Sequence, residues 1–405
     1  MVTAPSLQQG IYHEAGRQPP RHFRLLLVDA VRSASRDSIA TFLKDLKQVL
    51  DGFRAGEVPE LSGANEEATA SSLRQFEDLE WLLGFGRRLF DHQAHDSPLV
   101  DAERPSALAY LDWPGPAFPS LPWDSETTEN LGEGDFCLQF TADNEAAVNL
   151  AVVETWKLLA DQGHPLQART MFSGFGRPDG RGWLEFHDGV SNMESSQRAK
   201  AITSLVEPAW MKGGTYLAFL RIAIDLASWR TLSRPEQEIL VGRDKLSGRP
   251  LSGIERDPSG DIIPVASAPL NESSTDLERT FHRDPPQTAE PILEASHTHR
   301  ANQNRASPDA PGGLRIFRQG YDFLDGISPG GPRVGLNFVS FQADLLTLQH
   351  ILHLPGWLAD VNFGGSRDPG PGEPAQRQLL TLSAGGFYAV PPVADPFPGA
   401  TILGP

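Results

Sequence analysis

Two stretches of this 405-residue chain, one in each half, run in the same order: an aromatic-bearing strand pattern, then Ala-Asp, then a helical pattern. The first is Cys137-Leu138-Gln139-Phe140-Thr141-Ala142-Asp143, feeding residues 144–161, where Ala146, Ala147, Leu150, Val153, Trp156 and Leu158 keep helical spacing. The second is Val339-Ser340-Phe341-Gln342-Ala343-Asp344, feeding an apolar helical stretch from Leu345 to Leu358. A strand–helix unit used twice confines the chain to two similar halves of βαβ type. The fold class that follows is α+β with antiparallel sheets.

Other segments fit this frame. Phe23 to Asp29 and Leu79 to Gly86 read as strands, and Thr215 to Ile224 is a strong one. Ile39, Phe42, Leu43, Leu46 and Leu50 mark a helix, with Asp37 and Ser38 ahead of it as candidate caps. A helix-like stretch covers Leu226–Val241. The organisation expected is a flexible lead-in over 1–22, an N-terminal half over 23–195, a C-terminal half over 196–365, and a loop and weakly structured tail over 366–405. Residues 244–314 are dense in Pro, Ser, Asp and Gly. A stretch that long inside a domain is either functional or disordered.

Composition narrows the function. Lys and Arg number 35 against 52 Asp and Glu, a net charge of −17, which disfavours nucleic acid and anionic membranes as partners. The single cysteine, Cys137, excludes an intrachain disulfide and Cys-based metal clusters. No apolar run reaches membrane-spanning length, and residues 1–20 show neither a signal core nor a twin-arginine pair. A cytoplasmic location is expected.

Three separated segments carry candidate chemistry. Glu185-Phe186-His187-Asp188-Gly189-Val190-Ser191 offers an acid on a glycine turn, with His187 beside Asp188 as an alternative proton carrier. Ser296-His297-Thr298-His299-Arg300-Ala301-Asn302 offers two histidines. In a strand both rings would share a face and could hold one non-haem metal; in a helix they would diverge. Arg315-Ile316-Phe317-Arg318-Gln319-Gly320-Tyr321 offers two arginines on opposite faces of a strand, either able to stabilise developing negative charge.

Together these segments resemble the dye-decolorizing (DyP-type) haem peroxidases. The order of acid, histidine and arginine matches, as do Trp210 to Tyr216, the run from Gln237-Glu238 through Gly242-Arg243 to Pro250-Leu251, and Leu336-x-Phe338. The resemblance spans about residues 23–365. It implies two ferredoxin-like halves of dimeric α/β-barrel type, haem b held by the C-terminal half, and His297 rather than His299 as iron ligand. It also implies Asp188 as distal acid, Arg318 as distal cation, and Leu336 and Phe338 lining the pocket. Hydrogen peroxide would be the oxidant. Bulky phenols or dyes would be one-electron donors, acting through a ferryl porphyrin radical and a surface Trp or Tyr relay. A haem carrier or sensor of the same fold is the alternative, and a homo-oligomer is compatible.

The chain departs from the family pattern at Glu185, at His299, where an arginine usually follows the ligand, and at Asn302-Gln303-Asn304-Arg305, where Asn-Pro-Arg is usual. Glu185 stands where the acid motif opens with glycine, which predicts a shifted loop or a second acid near the haem. Asp344 is the candidate carboxylate to orient His297.

Overall fold

The computed structural model describes residues 7–57, 76–91, 103–110, 123–124, 129–161, 165–187, 193, 195–205, 208–266, 290–294, 296–301, 316–352 and 379–404. The first half contributes β1 (His22–Ala30), helix α1 (Arg36–Ala55), β2 (Glu80–Gly86), β3 (Phe136–Ala142), helix α2 (Glu145–Ala160) and β4 (Leu166–Phe175). The second contributes β5 (Thr215–Ile224), β8 (Phe317–Ser328), β9 (Gly331–Gln342) and β10 (Leu380–Val390). Between β5 and β8 lie helix α3 (Arg234–Val241), a hairpin of β6 (Leu251–Arg256) and β7 (Ile262–Ala266), and helix α4 (His297–Ala301). Helix α5 (Leu345–Leu352) joins β9 to β10.

These strands close a barrel in the order β1-β3-β2-β10-β5-β9-β8-β4. Taken by halves, the order is β4-β1-β3-β2 and then β10-β5-β9-β8. Each is the fourth, first, third and second strand of its own half, with one crossover after the first strand and one after the third. That is the ferredoxin-like arrangement twice over, with two antiparallel sheets joined edge to edge, as the sequence implied.

Alternation along the strands divides the side chains between two cores. Phe23, Leu25 and Leu27 of β1 point into the barrel with Phe219, Phe317 and Phe341. Leu26 and Val28 point outward, into the outer core shared with the buried Ile39, Phe42, Leu43 and Leu46 of α1. Helix α1 starts on a Ser35–Ser38 capping box, one turn ahead of the predicted caps, and stops at Gly56 with φ 88°.

The two ends of the chain differ from expectation. Leu7, Gln8, Ile11 and Tyr12 are buried, so the lead-in is packed over residues 7–12, while residues 14–18 are exposed. The proposed tail contains β10, the strand between β2 and β5, and Ala400, Ile402 and Leu403 are buried as well. Helix 226–241 is in fact two pieces, Leu226–Trp229 and α3, because Ser233 caps the second and Pro235 lies in its first turn. Among the described residues no helix is long and apolar enough to cross a membrane.

Candidate active site

The histidine segment is seated by the end of α3. That helix opens with a Ser233–Glu236 capping box and closes on Gly242, at φ 82°. Helix α4 docks there, the Thr298 hydroxyl donating to the Gly242 carbonyl at 3.3 Å. A Cβ at Gly242 would stand 2.3 Å from Thr298 Oγ1 and 2.4 Å from Ser296 Oγ. Gly242 therefore answers both a left-handed backbone and a contact too close for any side chain.

Because the segment is helical, His297 and His299 do not share a face, and the strand-borne His-x-His pair is not formed. His299 turns to Ser296, with Nδ1 2.8 Å from Oγ. Among the described residues no group of three or more His, Cys, Asp or Glu could hold a metal ion.

His297 lies under different influences. Burial, then the positive charges of Arg318 and Arg243, push its pKa down to about 3. The imidazole thus stays neutral in mild acid, where an exposed histidine would be protonated. A neutral ring keeps the nitrogen lone pair that a metal ligand needs.

Arg318 is half-buried on β8, directly opposite Ser340 of β9. Residues paired across a sheet point to the same side, and Ser340, Phe338 and Leu336 alternate along β9 on one face. Phe338 belongs to the outer core and Leu336 packs against it, so Arg318 stands on the outer face of the barrel in their company. The neighbouring Phe317 points into the barrel. Arg315 lies outside the described residues.

The acid segment forms a tight turn after β4. Arg181 and His187 bridge, and the Glu185 N–H donates to the Gly182 carbonyl at 2.8 Å. Glu185 itself takes φ 66°, a left-handed conformation that favours glycine. Its carboxylate turns outward to Arg177, with Oε1 accepting from Nη1 at 2.9 Å and Oε2 from Nη2 at 3.2 Å, and so is engaged at the surface. Arg181 donates to the carbonyls of Glu185 (2.6 Å), Lys245 (2.6 Å) and Leu246 (3.0 Å). Its other contact is His187 Nε2 at 2.9 Å; a guanidinium only donates, so Nε2 accepts. Asp188 lies outside the described residues.

Asp344 is exposed, and its carboxylate accepts the Leu346 N–H at 2.9 Å as a cap for α5. Arg318 and Arg243 are the charges that help lower the His297 pKa. The segment Gly242–Leu246 emerges as a hub: Gly242 seats α4, Arg243 acts on His297, and Lys245–Leu246 hold the acid turn through Arg181. Sequence reading had this run only as a matching motif. Its signal was a glycine and an arginine immediately after a capped helix.

A closed pair of ferredoxin-like halves, with a neutral histidine under the charge of an arginine on its outer sheet face, defines a protein suited to hold haem. The donor chemistry fits that group: one neutral imidazole, one fixed cation and an apolar wall of Leu336 and Phe338. A family model described as "Dyp-type peroxidase, C-terminal" matches residues 179–394, and the chain belongs to that peroxidase family. A dye-decolorizing peroxidase of Thermobifida fusca is 32% identical over 267 residues, covering 61% of this chain and 54% of its own. A deferrochelatase of Escherichia coli K12 is 25% identical over 410 residues, covering 95% and 83%. DtpA from Streptomyces lividans shares the fold at a TM-score of 0.68 and 24% identity, over 100% of both chains. A DypB variant of Rhodococcus jostii RHA1, solved in complex with heme, does so at 0.58 and 18%, over 94% and 96%.

Proposed function

We propose that this peroxidase uses haem b and hydrogen peroxide to oxidise bulky phenolic or dye-like donors by one-electron steps, and that His297 would supply the nitrogen ligand that holds the haem iron. The observation that carries this reading is the imidazole of His297, held neutral by burial and by the charge of Arg318. When bound, the haem supplies the redox chemistry with peroxide. The chain's own residues do the rest. Arg318, held on a sheet rather than a loop, stabilises the negative charge that develops on the departing oxygen. Asp188 carries the proton from the near peroxide oxygen to the far one. Leu336 and Phe338 keep water from the charge being stabilised, which strengthens the effect of Arg318.

The test is an absorption spectrum of the protein purified with haem supplied, before and after one equivalent of peroxide. A Soret band that changes on peroxide is the expected result. A band that ignores peroxide would favour a haem carrier or sensor, and no band would sink the haem reading. His297→Ala should lose the band and His299→Ala should keep it; the reverse would move the ligand to His299.

A further inference from the structure

The acid turn and the histidine helix come from separate parts of the chain, yet both rest on the segment that follows α3. Thr298 fixes α4 to Gly242. The acid turn reaches the same segment through one side chain, Arg181. Its Nη1 donates to the carbonyls of Glu185 and Lys245, each at 2.6 Å. Its Nη2 contacts the Leu246 carbonyl at 3.0 Å and His187 Nε2 at 2.9 Å. Two of these acceptors lie on the turn and two on the segment, so the guanidinium bridges them.

Only a planar fork of donors serves four acceptors from one side chain. A lysine in its place would bring a point charge on a flexible stem. The neighbouring residue is anchored to the same place by packing. Phe186 is buried, edge-on to Trp229 at 6.4 Å between ring centroids. The Lys245 ammonium lies 5.4 Å from the centre of the Phe186 ring and 5.8 Å from that of Trp229.

The contact also decides what His187 can do. An imidazole that accepts at Nε2 carries its proton on Nδ1. It cannot take up another at Nε2 without giving up Arg181. His187 is thereby engaged as a tether, and the next residue in the chain is Asp188.

We infer that Arg181 is a positioning residue for the peroxide reaction: through His187 it sets where Asp188 stands relative to the segment that seats His297. This rests on the roles proposed above for Asp188 and His297. Proton transfer needs groups within hydrogen-bond reach, and a misplacement of about 1 Å can cost about 100-fold in rate.

Stopped-flow recording of the Soret change tests the assignment. Arg181→Gln should take up haem as the wild type does and respond to peroxide about 100-fold more slowly. Added to Asp188→Asn, it should cost less than about twofold more, because both act on one step. His187→Gln, whose amide oxygen can still accept from Arg181, should retain more of the rate than His187→Leu. A second readout needs no haem. The Gly182 and Glu185 N–H groups close the turn onto the Phe186 and Gly182 carbonyls at 3.1 and 2.8 Å. In the haem-free chain their hydrogen exchange should quicken in Arg181→Gln, while that of Thr215–Ile224 stays as it is. A wild-type rate or wild-type exchange at the turn in Arg181→Gln, loss of haem from that variant, or full multiplication of the two losses in the double variant would each overturn the positioning role. An Asp188→Asn protein as fast as the wild type would overturn the reading of Asp188 itself, and with it the inference built on it.

Discussion

Glu185 is, among the described residues, the non-glycine position held at positive φ. For an L side chain that conformation costs on the order of 1–2 kcal/mol. What offsets it is local: two hydrogen bonds from Arg177 to the carboxylate and one from Arg181 to the carbonyl. The carboxylate side chain is 52% exposed, so its ion pair contributes at most about 1 kcal/mol. Strain and pair nearly cancel. Glu185→Gly should therefore shift unfolding stability by less than about 1 kcal/mol in a urea titration, whereas the β-branched Glu185→Val should lose about 2 kcal/mol or more. A large loss in the glycine variant would mean that the carboxylate does more than clamp the turn. The position was marked in the sequence by the glycine that usually opens the motif, though not its left-handed backbone. Which arginines hold it was not, because Arg177 and Arg181 reach it only once the turn has formed.

The elements that sequence made plain are those whose own pattern suffices. Thr215–Ile224 is a strand at the limits read from an apolar run broken by Arg221, and α1 buries the face its 3.6-residue periodicity marks; α2 is a helix where expected but leaves Leu150, Val153 and Trp156 of its apolar stripe exposed. β10 escaped because Gly385-Gly386 in its middle reads as a turn. A Cβ at Gly386 would stand 2.1 Å from the Gly132 carbonyl, so glycine is there for a neighbour distant in sequence. β4 escaped because Leu166–Phe175 mixes buried and exposed residues without clean alternation. The seat of His297 has the same long-range origin, and it yields the test at this scale. Gly242→Ala forces a Cβ into Thr298 Oγ1 and Ser296 Oγ at a left-handed φ. It should cost about 1–3 kcal/mol and displace α4. Haem titration should then show weaker retention than wild type, while Gly260→Ala, also at left-handed φ but with open space around it, should lose stability alone.

At the scale of the whole molecule, two thin seams close the barrel. β2 and β10 share the pairs Gly86–Tyr388 and Phe85–Ala389, and β4 meets β8 at Phe175–Asp322. The segment at residues 8–12 spans what the strands leave open. Gln8 Nε2 donates to the Leu83 carbonyl at 3.0 Å and to the Pro391 carbonyl at 2.8 Å, and Gln8 Oε1 accepts the Leu83 N–H at 2.8 Å. One side chain thus ties β2 of the first half to the residue that follows β10 of the second. Two residues on, the Gly10 carbonyl accepts from Gln139 of β3 and Gln319 of β8, each at 3.3 Å. Nothing in Leu7-Gln8-Gln9-Gly10-Ile11-Tyr12 has a period that would announce this, since its order comes from partners in both halves. Removing such a bolt should uncouple the halves more than it unfolds either. Gln8→Ala strands a buried N–H and two buried carbonyls, at about 1–3 kcal/mol for each group left without another partner. Calorimetry should show one cooperative transition for the wild-type chain. The variant should melt at lower temperature, with the transition broadened or split in two as each ferredoxin-like half unfolds on its own. A single transition at an unchanged midpoint would mean that the seams hold without the segment and that the two cores alone make the barrel one unit.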